Sequence, residues 1–155
     1  MKIMKTIFFK VIIILELFIN ITACKAQQIQ PLNTNLKDII ANSYLKDVNN
    51  ELDSYVGNFT ANFEGKTINL FITKELKKPI NLQTKNYFQD VLSIRYIVKN
   101  ASGQILQDTK NMSIPATQTI HTIYSFGTSP SQNLALLYYG GTNCGIGWGK
   151  ILLKK

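Results

Sequence analysis

Hydrolytic or group-transfer chemistry needs a nucleophile beside a base, a pair of carboxylates, or a cluster of metal ligands. This 155-residue chain holds one histidine, His121, and two cysteines, Cys24 and Cys144. A thiol and base pair of Cys144 and His121 has no support in spacing or local sequence, and a lone histidine is too few for most zinc sites. The acids form no pair at hydrolase spacing, with Glu51 and Asp53 in one segment and Glu64 beside a turn. The glycines of Gly140-Gly141 and Cys144-Gly145-Ile146-Gly147-Trp148-Gly149 are spaced like a phosphate cradle. Such a cradle also needs a following helix and a lysine followed by serine or threonine, which this stretch lacks. A tight turn or bulge where backbone approaches backbone is expected instead. The expectation is a protein with no catalytic residue, no metal and no cofactor.

Cys24 is a different kind of chemical residue. Lys2, Lys5 and Lys10 precede an apolar stretch whose longest pure run is Val11 to Leu15, and Glu16 and Asn20 interrupt the remainder of the stretch. A membrane span needs roughly 20 mostly apolar residues, so the pattern fits a processed signal better than a spanning helix. The stretch ends in Ile21-Thr22-Ala23-Cys24, which resembles a bacterial lipobox. That resemblance implies removal of residues 1 to 23, a diacylglycerol on Cys24 as the new N-terminus, and lipid anchorage in the cell envelope, on a membrane and leaflet the residues do not specify. An acylated Cys24 cannot form a disulfide, which leaves Cys144 as a small buried residue near a glycine-rich turn. An intermolecular disulfide, or a Cys24 to Cys144 bridge in an unlipidated form, is the alternative.

Cleavage before Cys24 takes away three lysines and one glutamate and leaves 132 residues with 14 basic and 8 acidic groups, a net charge of +6. That length suits one domain. The charge is lysine-rich and scattered, with Arg95 the only arginine, so the arginine-rich footprint of a nucleic-acid binder is missing. Residues 24 to 36 are polar and without hydrophobic period. They read as a tether that extends up to about 40 Å, with the domain proper running from 37 to 155.

Within that domain Leu45, Val48, Leu52, Tyr55 and Val56 recur at helical spacing, with Ser43 placed to cap and Gly57 to terminate, so one short amphipathic helix is expected over Ser43 to Val56. After Gly57 the period becomes two. Phe59, Ala61 and Phe63 alternate with polar residues, Gly65-Lys66 turns the chain, and Ile68, Leu70 and Ile72 come next. A second alternation over Phe88 to Val98 closes at Asn100-Ala101-Ser102-Gly103 into Gln104 to Thr109. Strands are also expected over Thr117 to Phe126, over Leu134 to Tyr139 after a polar loop at Gly127 to Asn133, and from Lys150. The fold class is therefore mainly β, an antiparallel meander forming a curved sheet or small barrel. Phe59, Phe63, Leu70, Ile72, Ile94, Tyr96 and Tyr124 are expected to face one interior, where any small-molecule ligand would enter. The ending Ile151-Leu152-Leu153-Lys154-Lys155 reads as a strand without a closing hairpin, so a shortened chain or a covered edge is expected.

The stretch from Tyr44 to Phe59, with Gly65-Lys66-Thr67-Ile68 and Asp90-Val91-Leu92-Ser93-Ile94-Arg95-Tyr96, resembles a family of small bacterial envelope lipoproteins that has no assigned activity. The resemblance covers most of the mature chain and implies a class without a site. Gly57-Asn58-Phe59 is also similar to the glycine-x-tryptophan start of lipocalin-type barrels, with phenylalanine in place of tryptophan. Together these point to a non-catalytic, lipid-anchored envelope protein that binds a partner protein, a glycan or an apolar small molecule. The alternative is a periplasmic inhibitor or immunity-type protein, with a thiol or carboxylate hydrolase behind it.

Overall fold

The computed structural model describes residues 26–115, 118–142 and 146–155. The signal segment, Cys24 and Cys144 lie outside the described residues. Among those described, nine strands make one strongly curled open sheet, a half-barrel: β1 (Ile29–Pro31), β2 (Tyr44–Lys46), β3 (Gly57–Phe63), β4 (Lys66–Asn81), β5 (Asn86–Lys99), β6 (Ile105–Asp108), β7 (Ile123–Ser129), β8 (Leu134–Tyr139) and β9 (Gly149–Lys154).

Both expected hairpins form. β3 and β4 pair from Gly57↔Ile72 to Phe63↔Lys66, and the two-residue turn between them puts Glu64 at φ 48° and Gly65 at φ 71°. Positive φ at both turn positions matches the right-handed twist of the flanking strands. β5 and β6 pair on either side of the Asn100 to Gly103 turn, where Asn100 Oδ1 accepts from the Ser102 and Gln104 amides. β4 runs well past Ile72 and pairs with nearly all of β5, with a bulge between Glu75 and Lys78.

The other edge of β5 is divided among three strands. β2 takes Phe88 and Gln89, β7 takes Ser93 and Ile94, and β6 takes Ile97 to Lys99. Two branches thus leave that edge, β2 to β1 and β7 through β8 to β9. The meander is antiparallel except here, because β1–β2 and β2–β5 are parallel.

The expected helix over Ser43 to Val56 is not present. Tyr44–Lys46 is β2, and only Asp53–Tyr55 makes a turn of 3-10 helix. Two forces override the helical spacing. The backbone of Tyr44 to Lys46 completes the sheet between β1 and β5. Buried Asp47 then accepts hydrogen bonds from the amides of Glu51 (2.8 Å) and Leu52 (3.1 Å), which folds the chain into a side-chain-capped turn. The apolar stripe is accordingly split: Leu52 and Tyr55 enter one hydrophobic cluster, Leu45 enters another, and Val48 is 56% exposed.

The segment expected as a tether instead joins the sheet at Ile29, and its Leu32 is buried. Its polar residues bond to the domain. Gln30 Oε1 accepts from the Ile40 amide (2.9 Å) and the Ser43 hydroxyl (2.8 Å), and its Nε2 donates to the Asp38 carbonyl. The strand expected from Thr117 begins only at Ile123 and continues to Ser129, taking in the start of the expected polar loop. β8 lies at its expected bounds, and β9 starts one residue early.

The larger hydrophobic cluster occupies one face of the sheet, and a second, of Ile39, Leu45, Ile80 and Tyr87, lies on the other. Ile72, Leu92, Ile94, Ala135 and Leu137 meet Leu32, Leu52 and Tyr55 from the N-terminal third of the chain. Cross-strand partners share a face, so the register fixes what lies on the other side.

Candidate functional site

Following the register, Gln89 partners Leu45, Tyr87 partners Ile80, and Ser93 partners Tyr124, so all six of these residues lie on the face opposite Leu92 and Ile94. There the two branches from β5 part and leave a cleft of about 720 Å³ between them. Its floor is Leu45, Ile80, Tyr87 and Gln89; the wall on the β7–β8 side is Tyr124, Phe126, Leu136 and Tyr138. Asn33 to Leu36, Thr128 and Lys150 form the rim, and buried Ile39 packs on the floor against Leu45, Ile80 and Tyr87. The volume is in the range of small-molecule sites.

Side-chain bonds hold the rim open. Lys85 Nζ donates to the carbonyls of Leu36, Lys37 and Ile39, each at 2.9 Å, which fixes the arch over the floor. Asn33 links that arch to β7. Its Oδ1 accepts from the Thr128 amide at 2.8 Å, and its Nδ2 donates to Thr128 Oγ1 and to Glu51 at 2.8 Å. Thr128 in turn donates its hydroxyl to Glu51.

Among the described residues the lining holds four aromatic rings and no acid, and Lys150 is its single charged residue. Tyr124 and Tyr138 lie tilted to each other with ring centroids 5.8 Å apart, a favourable aromatic geometry. Burial pushes the Tyr87 hydroxyl above the usual tyrosine range, and nearby Tyr124 adds to it; burial does the same to Tyr124, helped by Tyr138. Both therefore remain neutral hydrogen-bonding groups near neutral pH. Lys150 Nζ stands 5.8 Å from the Phe126 ring centre. Gln89, 1% exposed, has an Nε2 with no hydrogen-bond partner among the described residues.

A second polar cluster lies at the edge of the N-terminal branch. Buried Asp90 accepts from the Tyr44 hydroxyl (2.5 Å), the Asp47 amide (3.0 Å) and the Lys77 amide (3.0 Å). Lys74 bridges Asp47 at 2.8 Å and Asp53 at 2.6 Å. Burial pushes the Lys74 ammonium down, and its bonds to the two aspartates outweigh that, for a net rise. Burial, then the bond to Asp90, pushes the Tyr44 hydroxyl up to about 12. With their oxygens occupied by backbone amides, these carboxylates act as clamps that pin β2 and the following turn to β4 and β5.

The seven residues expected around one interior separate. Phe59, Leu70 and Tyr96 are mutual partners across β3, β4 and β5, Ile72 partners Ile94, and Phe63 falls in phase with Phe59, so six share the core face. Of these only Ile72 and Ile94 are buried, while Leu70 packs at the cluster margin. Phe59 and Phe63 are 49% and 62% exposed, because β3 is an edge strand lying beyond the covering segment. Tyr96 reaches the Tyr139 hydroxyl at 3.3 Å. Tyr124 alone lies on the opposite face, and it is the one that lines the cleft. Periodicity of two orders residues within a strand and carries no phase from one strand to the next. Gln89 and Tyr87 are not singled out by the sequence pattern; the only local signal is a buried-strand pattern with a glutamine in it.

His121 is buried in a turn before β7, and its amide donates to the Gly141 carbonyl at 2.8 Å. Beside it the expected close backbone approach occurs at Gly140, where a Cβ would fall 1.8 Å from the Thr119 carbonyl oxygen. Among the described residues, no three His, Cys, Asp or Glu side chains gather as metal ligands, and no helix is long and apolar enough to cross a membrane. Compared with protein-family profiles, with curated proteins and with solved structures, the chain finds no match.

Proposed function

We propose that this chain is a non-catalytic binding protein of the bacterial cell envelope, held to a membrane by lipid on Cys24, whose half-barrel takes an apolar small molecule. The observation that carries the reading is the aromatic-walled cleft of about 720 Å³ on the face opposite the core. The envelope and the anchor rest on the Ile21 to Cys24 pattern after an interrupted apolar run, in line with the resemblance to small envelope lipoproteins. Anchoring keeps the domain near a membrane, a source of apolar compounds.

Two measurements test it. Metabolic labelling with a fatty-acid analogue in a bacterial host is expected to mark the native chain and not Cys24→Ser; label that persists in the variant, or never appears, overturns the anchor. For the cleft, an alkylnaphthalene is titrated into isotope-labelled protein from residue 24 onward, carrying Cys24→Ser so that no acyl chain competes. Amide shifts are expected at Tyr87, Gln89, Tyr124 and Tyr138. Shifts confined to the exposed β3 aromatics, or none, overturn the ligand reading.

A further inference from the structure

Resting on the cleft reading, we infer that the ligand carries an uncharged carbonyl-type hydrogen-bond acceptor at its buried end, received by the side-chain amide of Gln89. Gln89 sits on the floor between Leu45 and Tyr87 at 1% exposure, with its Nε2 donor unpartnered among the described residues. A buried amide donor without a partner is costly and rare in folded proteins. At a floor otherwise made of Leu45, Ile80 and Tyr87, a leucine would pack in its place with no such cost. The unpaired donor therefore points to an acceptor that arrives with the ligand.

Charge narrows the class further. A cationic ligand would meet no acid among the lining residues, and a buried anion would meet no cation at the floor, so either would be desolvated without a counter-charge. The one lining cation, Lys150, is exposed and stands at the rim. Any anionic group thus belongs at the outer end of the molecule, with a flat aromatic or acyl body between the Tyr87 and Tyr124 sides. A ketone, ester or amide joined to an apolar body has this distribution, and a free fatty acid inserted carboxylate first does not.

The experiment uses two probes of one shape, an acylnaphthalene ketone and the alkylnaphthalene in which a methylene replaces the carbonyl. Binding is measured by fluorescence titration to the chain from residue 24 with Cys24→Ser, and to the same chain with Gln89→Leu. The parent is expected to bind the ketone about 10-fold more tightly than the hydrocarbon, the worth of one buried hydrogen bond. Gln89→Leu is expected to abolish that preference by weakening the ketone alone. Equal binding of both probes by the parent overturns the inference and leaves the cleft reading standing. Failure of both probes overturns the cleft reading as well. The parent comparison needs no variant, so a poorly folded Gln89→Leu leaves the inference falsifiable.

Discussion

Neighbouring residues of β8 meet opposite fates. Ala135 and Leu137 enter the packed core, whereas Leu136 and Tyr138 border an open cleft. The strand is equally apolar on both faces, so composition does not cause the difference. What covers each face does. The core face receives Leu32, Leu52 and Tyr55 as side chains that fill space. The cleft face is overarched by residues 33 to 39, whose carbonyls are tied to Lys85 and whose Asn33 is tied to Thr128. Those polar ties hold backbone in place, and Ile39 is the apolar side chain of that segment that packs onto Leu45, Ile80 and Tyr87. Sheet faces of like hydrophobicity become core or pocket according to how many apolar side chains the segment laid across them supplies, three on the core face and Ile39 on the other.

The largest test of that contrast is a pair of truncations on one strand. Leu137→Ala, at 2% exposure, is expected to cost about 2 to 5 kcal/mol because it leaves a void in a closed core. Leu136→Ala should cost about 1 kcal/mol, since a partly exposed wall residue loses less buried area. Urea denaturation of both variants measures it, and equal losses would break the distinction between the faces.

A smaller effect separates the clamp from both faces. The Tyr44 hydroxyl is held up to about 12 by burial and by its bond to Asp90, against an ordinary tyrosine value of about 10. A raised pKa favours the neutral phenol in the fold, so its contribution is whole below about pH 10 and is lost as the pH rises through about 12. Tyr44→Phe is therefore expected to be less stable than the parent at neutral pH, with the gap closing across that window. Denaturation midpoints from pH 8 to 12 read it out, and a gap independent of pH would show that the hydroxyl bond is not what matters.

The smallest change is expected on the exposed part of the core face. Phe63→Ser should alter stability by about 0.5 kcal/mol or less, as surface substitutions away from special features do. A loss comparable with Leu137→Ala, measured in the same denaturant series, would place Phe63 in a packed interior.

The strands were largely legible because alternation of side chains is local: the Asn100 to Gly103 turn forms where expected, and the first hairpin turns at Glu64-Gly65, one residue before the expected Gly65-Lys66. The site was not legible, for two physical reasons. Tyr124 and Ile94 look in phase along the chain, yet the register sets Ile94 against Ile123 and sends Tyr124 to the other side. The helical spacing of Leu45, Leu52 and Tyr55 reflected burial on two different faces, decided by Asp47 and Asp90, whose partners are backbone amides that no side-chain pattern announces. The expected tether to residue 36 differs for the same reason, since Gln30 and Asn33 look solvent-loving and are bonding residues.

The divided edge of β5 has a kinetic meaning. β4 and β5 are joined by a short loop and can zip together locally, whereas β2 reaches β5 only by closing a long loop to set Tyr44 beside Phe88, and in parallel sense. Closing long loops before contacts reward them is slow. The branch that forms half of the cleft is thus expected to dock late, and until it docks the cleft does not exist. A molecule that needs both branches recognises only the finished protein and stabilises it by mass action. Where such a compound is plentiful, occupancy would double as a check that the chain has completed its fold.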